Sequence, residues 1–488
     1  MSIELPLIDP IVVDPAELAP RQSLRGRTAR NLATATVTVP QNAETTPRWL
    51  LRLLPWVNID GGVYRVNRRK VIIPRAVRIP VIVEGEEVRI EGARLRRLAL
   101  FRDLDIAALE EIAKQFRTER YDAGAVIAND GDAAPRLLIV AGGKVEVTKT
   151  GPHGDQLSHA LLSDGATFGE EALIENDWRT PNIKALTAAR VLVLDRSKFD
   201  EIADRIPKFR ETLTHALELR TAALASAEES GERKIDLLTA HGGEPTLPET
   251  FVDYEEDPRE YHLSRIQTVL KTHTRVTDLY SNKVDQLREQ IRLTVTAVKE
   301  REEWELINNP AFGLLHEVPH SQRIPTRHGP PTPDDLDELL TLVWKKPAFF
   351  LAHPKAIAAF GRECTRRGVP PPTINLFGSP FLTWRGVPLV PSDKLQISGK
   401  SDVFGGLGST SILLLRVGEG EQGVVGLQKV GVTGEVEPGL SVRYMGTNDE
   451  SITSHLVTRY FSAAVLTGDA VARLDHVLVG RYHDYEKR

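Results

Sequence analysis

TFGEEALIENDWRTPNIKALT, residues 167 to 187, is the stretch on which the reading of this chain turns. Gly169 lets backbone approach a ligand closely, Glu170 offers a carboxylate to a sugar hydroxyl, and Arg179 offers a planar cation to phosphate oxygens. A short helix starting near Glu171 presents unpaired N–H groups to the same anion. Pro181 works against this, because it has no N–H to give and fixes its own backbone torsion, although Thr180 keeps its donor. Two readings stay open. Either the loop is a working phosphate and ribose site, or Glu170 and Arg179 pair with each other across an empty pocket.

Outward from the loop, the text has the rhythm of a small all-β unit. RYDAGAVIANDGD, LLIVAGGKVEVTK and ARVLVLDRSKF supply short strands punctuated by Gly124, Gly131, Gly142 and Gly143, a pattern that predicts an antiparallel barrel or jelly roll. A helix precedes it in LALFRDLDIAALEEIAKQF, where Asp105 can cap and Leu109, Ile112, Ala113 and Phe116 share one face. A helical stretch follows it from FDEIADRI, with a kink expected at Pro207.

Further out, Val63 to about Arg94 alternates apolar and polar residues, with Gly85 and Gly92 as turn points, and reads as a β-ribbon. Residues 1–50 carry Pro6, Pro10, Pro15, Pro20 and Pro40, which favours an extended arm, either a disordered tail or a strap over a neighbouring subunit. After the all-β unit, GGEPTLPETFVDYEEDPRE reads as a connector. A helix is then expected over 277–308, with Leu279, Leu287, Ile291, Val295 and Val298 as its stripe and Asn309–Pro310 as its stop. At ~1.5 Å per residue it would approach 45 Å. PDDLDELLTLVWKKPAFFLAHPKAIAAFGRECTRRG reads as helices, with Pro333 in a first turn and Gly368 as terminator. TINLFGSPFLTWRGVPLVPS, STSILLLRVGEG, GVVGLQKVG and LSVRYMG read as strands, so the second half is mixed α+β.

Composition narrows the function. Lys+Arg 62 against Asp+Glu 67 gives a net charge of -5, which recommends no nucleic acid and no acidic membrane as partner. No apolar run approaches the ~18 residues of a membrane span, and the N-terminus lacks the pattern of a secretory signal, so a soluble cytoplasmic protein is expected. Cys364 is the only cysteine, which excludes an intramolecular disulfide framework. His316, His320 and His328 lie in a Pro-rich stretch without carboxylate support, so no metal site is expected there. FGGLGSTS, 404–411, has no lysine before its serine or threonine and fails as a P-loop. No catalytic constellation emerges, and the chain is not expected to be an enzyme.

Two resemblances then fit these observations. Residues 98–225 resemble a cyclic nucleotide-binding domain, through the entry helix, the turn YDAGAVIANDGD and the cassette FGEEALIENDWR. Phe168, Gly169, Glu170, Ala172, Leu173 and Arg179 match the family's cassette, whereas Glu171, Trp178, Thr180, Pro181 and Asn182 depart from it. The resemblance implies a cAMP or cGMP ligand held by Phe168, Gly169, Glu170, Ala172, Arg179, Thr180 and Asn182, with no cofactor required.

The remaining chain resembles the second family of encapsulins, bacterial compartment shells with the Hong Kong 97 phage capsid-like fold. EYHLSRIQTVLKTHTRVTDLYSNKVDQLREQIRLTVTAVKEREEWELINN and FGSPFLTWRGVPLVPSDKL carry it, and the inserted domain resembles its 2B subtype. The implied architecture is an α+β capsid-like fold with a cyclic nucleotide-binding β-barrel inserted in the extended E-loop. Its parts are an arm over 1–50, the first part of the capsid-like domain with the ribbon over 51–97, the insert over 98–225, a return connector over 226–262, and capsid-like P- and A-domains over 263–488. The resemblance further implies an icosahedral homo-oligomer of on the order of 60 copies, T=1, enclosing a cargo enzyme of the terpene cyclase or polyprenyl transferase type. The competing reading is a cyclic nucleotide-responsive regulator, transcription factor-like, with an unrelated effector domain. A soluble enzyme gated by the inserted domain is a third, without a nominated catalytic residue.

Overall fold

A computed structural model describes residues 38–480 apart from 73–78, 80, 85–86, 99–100, 102–103, 130–135, 151–155, 163–164, 170–181, 206–225, 229–231, 240–246, 274–284, 328 and 399–407. Residues 1–37 of the arm expected over 1–50, the Gly85 turn and the Pro207 kink lie outside these residues. The first helix, α1 (Trp49–Leu53), buries Trp49 and Leu50. Strands β1 (Trp56–Asn58) and β2 (Val63–Val66) follow, and then a hairpin of β3 (Ile82–Glu84) and β4 (Glu87–Arg89).

The roll begins with α2 (Ile106–Lys114), where Asp105 stands at the N-cap but its side chain makes no capping bond. Leu109 and Ile112 are fully buried, as the 3.6-residue period requires. Strands β5 (Arg117–Tyr121), β6 (Val126–Ala128), β7 (Arg136–Gly142), β8 (Val145–Thr150), β9 (Gln156–Leu162), β10 (Thr167–Phe168), β11 (Asn182–Ala185) and β12 (Ala189–Asp195) then build two sheets. Their orders are β10-β7-β12-β5 and β6-β11-β8-β9. Strand β7 shows why the sequence folds this way. Leu137, Ile139 and Ala141 face one core while Leu138 and Val140 face another, the strict alternation of a strand buried on both sides. The first core holds α2 and α3 (Arg196–Ala203), together with Ile79, Val88 and Ile90. Hairpin β3–β4 is thereby packed on the roll, and the Ile79 N–H donates to the Gly165 carbonyl at 2.7 Å.

The return passes through β13 (Arg259–His262) and β14 (Ser264–His273) to α4 (Gln286–Asn308). This helix has 23 residues, ~35 Å. Asp285 has an extended backbone and its carboxylate accepts the Arg288 N–H, so the helix starts at Gln286 rather than running unbroken from 277, and residues 277–284, Leu279 among them, lie outside the described set. Val298 packs on Leu440 and Val457, while the buried face also includes Glu302 and Glu303.

Two sheets make up the rest. Strand β15 (Arg323–Pro325) leads to α5 (Pro333–Leu342), whose Thr332 and Asp335 form a capping box, and then to β16 (Phe349–Ala352). Helix α6 (Pro354–Arg367) ends at Gly368 in the left-handed conformation. The stretch read as helices thus contains a strand, FFLA, buried on both faces, Phe349 and Leu351 in one core and Phe350 and Ala352 in another. Four strands follow, β17 (Thr373–Leu376), β18 (Ser379–Trp384), β19 (Val387–Pro391) and β20 (Ser409–Leu415), and β16 lies between parallel β19 and antiparallel β20. The chain closes with β21 (Val424–Gln428), β22 (Glu435–Glu437), β23 (Leu440–Thr447), β24 (Ile452–Val465) and β25 (Val471–Leu478). One sheet has the order β15-β25-β20-β16-β19-β18-β17, and the other runs β1-β21-β24-β23-β22 with β14 also paired to β24.

Candidate ligand-binding loop and the ribbon that carries it

The segment quoted at the outset is strung between the two sheets of the roll. Strand β10 pairs with β7 in one sheet, Thr167 opposite Ile139 and Phe168 opposite Leu138. Strand β11 lies between β6 and β8 in the other, with Asn182 opposite Thr148. The loop between them therefore starts in one sheet and ends in the other, and its residues 170–181 lie outside the described residues.

The entrance is sterically fixed. Gly169 has φ +83°, and a Cβ there would stand 2.3 Å from the Arg136 carbonyl oxygen, so only glycine fits. Phe168 is half-buried and packs against the interior core of the roll, as does Tyr121. The Gly165 N–H donates to the Val140 carbonyl at 2.6 Å, and the Val140 N–H to the Ala166 carbonyl at 2.9 Å, which lock the strand before the loop. On β5, Tyr121 donates to Glu119, and burial together with that carboxylate pushes the phenol up to about 12. Burial raises Glu119, but the bonds from Tyr121 and Arg117 outweigh it and hold the carboxyl below its ordinary value. The structure thus places Phe168, Gly169 and Asn182 at the two ends of the loop. Glu170, Ala172, Arg179 and Thr180 lie outside the described residues.

The roll leaves the rest of the molecule through a two-stranded ribbon. Strand β2 runs antiparallel to β13, Val63 opposite His262 and Val66 opposite Arg259. Pairing continues outward: the Lys70 N–H donates to the Asp253 carbonyl at 2.8 Å, the Glu255 N–H donates to the Arg68 carbonyl at 3.0 Å, and Val71 bridges Glu232. Arg65 pairs with Glu260, and Arg69 with Glu232, across the ribbon. Both flanks of the insertion therefore meet in one ladder, with everything between them looped out.

Sequence reasoning missed two features at the base of this frame. Glu300 on α4 accepts the Thr46 N–H and hydroxyl, both at 2.8 Å, and the Arg48 guanidinium at 2.9 Å. Glu303, one turn on, accepts the Leu50 N–H at 2.9 Å. The run EREEWE reads as a solvated helix face, and only the polar contacts of the incoming segment reveal that it is covered. The second feature is the side chain of Lys144, at the β7–β8 turn, which is fully buried. Among the described residues no group of three or more His, Cys, Asp or Glu is placed to hold a metal, and no helix is long and apolar enough to cross a membrane.

A capsid-like α+β shell fold whose extended ribbon carries a cyclic nucleotide-binding roll is the class that this architecture defines. A family model described as type 2A encapsulin shell protein SrpI-like matches residues 220–481, and one described as cyclic nucleotide-binding domain matches residues 118–205. The chain belongs to the SrpI-like encapsulin shell proteins, and it carries a cyclic nucleotide-binding domain. The type 2A encapsulin shell protein SrpI of Synechococcus elongatus is 52% identical over 298 residues, which are 61% of this chain and 95% of that protein. The cryo-electron microscopy structure of the holo-SrpI encapsulin complex from Synechococcus elongatus PCC 7942 superposes with a TM-score of 0.54 at 37% identity, covering 95% of this chain and 99% of that one. The cGMP-dependent protein kinase, isozyme 1, of Drosophila melanogaster is 35% identical over 141 residues, 28% of this chain and 18% of the kinase. These matches make the protein a structural shell subunit rather than an enzyme. They also assign the second half to the shell, where the regulator reading required an effector domain.

Proposed function

We propose that copies of this chain assemble into a closed icosahedral shell of on the order of 60 subunits, T=1, in the bacterial cytoplasm. In this reading the shell encloses a cargo enzyme of the terpene cyclase or polyprenyl transferase type, and a cyclic nucleotide, cAMP or cGMP, acts on it through the inserted domain. Glu170 accepts from the ribose 2′-hydroxyl, Arg179 and the Gly169 and Thr180 backbone hold the phosphate, and Phe168, Ala172 and Asn182 shape the pocket walls. The single observation that supports the combined role is the β2–β13 ladder, because it makes the nucleotide domain an insertion into a shell element rather than a neighbour on a linker.

The same observation supports placing the chain in a subtype of its own, the 2B arrangement. One experiment tests both halves. Light scattering and electron microscopy on the purified full chain should find megadalton particles, and calorimetry on the same sample should find cyclic nucleotide binding that Arg179→Ala abolishes without altering particle size. Monomers or dimers across ordinary salt and pH refute the shell. Equal heats in wild type and variant remove Arg179 from the ligand.

A further inference from the structure

The inserted domain touches the shell through more than its ribbon. Lys144 follows Gly142 and Gly143 in the β7–β8 turn, and its Nζ reaches Glu338 of α5 at 2.6 Å and Asp335 at 3.7 Å. The Lys144 and Asp335 side chains are fully buried. Glu338 also receives Arg327, and Asp335 accepts the Arg327 N–H at 3.1 Å, the Thr332 N–H at 2.9 Å and the Thr332 hydroxyl at 2.7 Å. Two cations and two carboxylates thus close a charge-balanced cluster, one of whose cations is a lysine belonging to the other domain. Helix α5 is itself fixed: Leu336 and Leu339 are fully buried, and Asp337 is held by Trp384 and Arg385.

On the roll side the lysine is equally constrained. The Lys144 N–H donates to the Thr187 hydroxyl at 2.9 Å, and the Leu186 N–H donates to the Lys144 carbonyl at 2.9 Å. Gly143 has φ +95°, and a Cβ there would stand 2.5 Å from the Ala188 carbonyl oxygen, so the turn is wedged against residues 186–188. Those residues directly follow β11, the strand that begins at Asn182, where the candidate ligand loop closes.

The geometry points to Lys144 as a buried pin that docks the inserted domain on helix α5 of its own chain and makes the loop-bearing strand β11 and the start of α5 mechanically interdependent. A buried lysine with no partner is far more costly than a paired one, so the domain is either seated on both carboxylates or swung clear of them. The pin stands whether or not any nucleotide binds.

The test is native-state hydrogen exchange on the assembled full-length protein, comparing wild type with Glu338→Gln and Lys144→Met. Glu338→Gln keeps the size of the side chain and removes the charge that holds the lysine. Exchange in segment 182–188, distant in sequence and in the other domain, should rise at least about tenfold, together with segment 332–342. Lys144→Met should raise both by roughly a hundredfold, because two buried carboxylates are left with Arg327 alone. Strands 189–195 and 409–415 serve as folding controls and should be unchanged. If Lys144→Met raises the controls as well, Glu338→Gln alone decides. A rise confined to 332–342, or no rise at all, in Glu338→Gln overturns the pin.

Discussion

Glu303 gives the sharpest quantitative test of how the incoming chain is held. Its side chain is 1% exposed, on the face of α4 that the segment around Leu50 covers, and it accepts the Leu50 N–H at 2.9 Å. Burial pushes its carboxyl from an ordinary 4.5 up to about 7, with the Leu50 bond and Lys394 pulling the other way and Glu300 and Asp393 adding to the rise. Between those two values the folded protein keeps a proton that the unfolded chain has released, so stability falls as pH rises, and the loss is complete above about 7. At 1.36 kcal/mol per tenfold change the full loss is roughly 3 kcal/mol. Glu303→Gln preserves an oxygen acceptor for Leu50 but cannot ionise. The assay is the opening free energy of the Leu50 amide from hydrogen exchange, corrected for the intrinsic rate, from pH 5 to pH 8.5. Wild type should lose up to roughly 3 kcal/mol across that range while the variant stays flat. Parallel profiles in the two proteins refute the reasoning.

Two further substitutions probe the other parts of the frame. Gly169→Ala should abolish calorimetric binding of cAMP or cGMP without changing particle size, because the new Cβ meets the Arg136 carbonyl and the left-handed backbone costs about 1–2 kcal/mol more; binding as tight as wild type counts against the loop entrance. Arg459→Met should lower the thermal midpoint sharply, since it strands Glu302, which burial pushes up and Arg459 pulls back. The expected cost is about 3–5 kcal/mol, and adding Glu302→Gln should recover most of it; an unchanged midpoint in the single variant refutes the pairing.

What the sequence made legible follows the physics of each element. The roll was readable because glycines punctuate its strands, Gly124 shortly before β6 and Gly142 and Gly143 at the end of β7, and because the sequence of the loop carries the residue types that a phosphate and a ribose need. Pro333 in the first turn of α5 and the terminator at Gly368 were readable for the same local reason. Strand β16 was not, because FFLA is a four-residue apolar run buried on both faces, which periodicity cannot separate from helix. The start of α4 was overestimated because a helix-like stripe continues through Leu279, whereas the decisive signal is one side chain, Asp285, turning back on Arg288. Lys144 was the least legible residue of all. Nothing within the roll marks a lysine as buried when its partners are supplied by α5, almost two hundred residues on.

The ribbon and the pin divide the attachment of the inserted domain between them. The β2–β13 ladder pairs only four residues on each side, and its ion pairs, Arg65 with Glu260 and Lys70 with Glu256, are exposed and therefore worth little. Such a ribbon fixes where the domain leaves the shell but resists bending poorly. Hairpin β3–β4 does not stiffen it, because Ile79, Val88 and Ile90 are committed to the core of the roll and move with it. The orientation of the roll thus rests on contacts beyond the ribbon, and the Lys144 cluster is where fully desolvated charge meets fully desolvated charge. Because that cluster is tied to β11 through Thr187 and Leu186, a change of conformation at residues 170–181 has a direct covalent and hydrogen-bonded path to it, and none of that path runs through the ribbon.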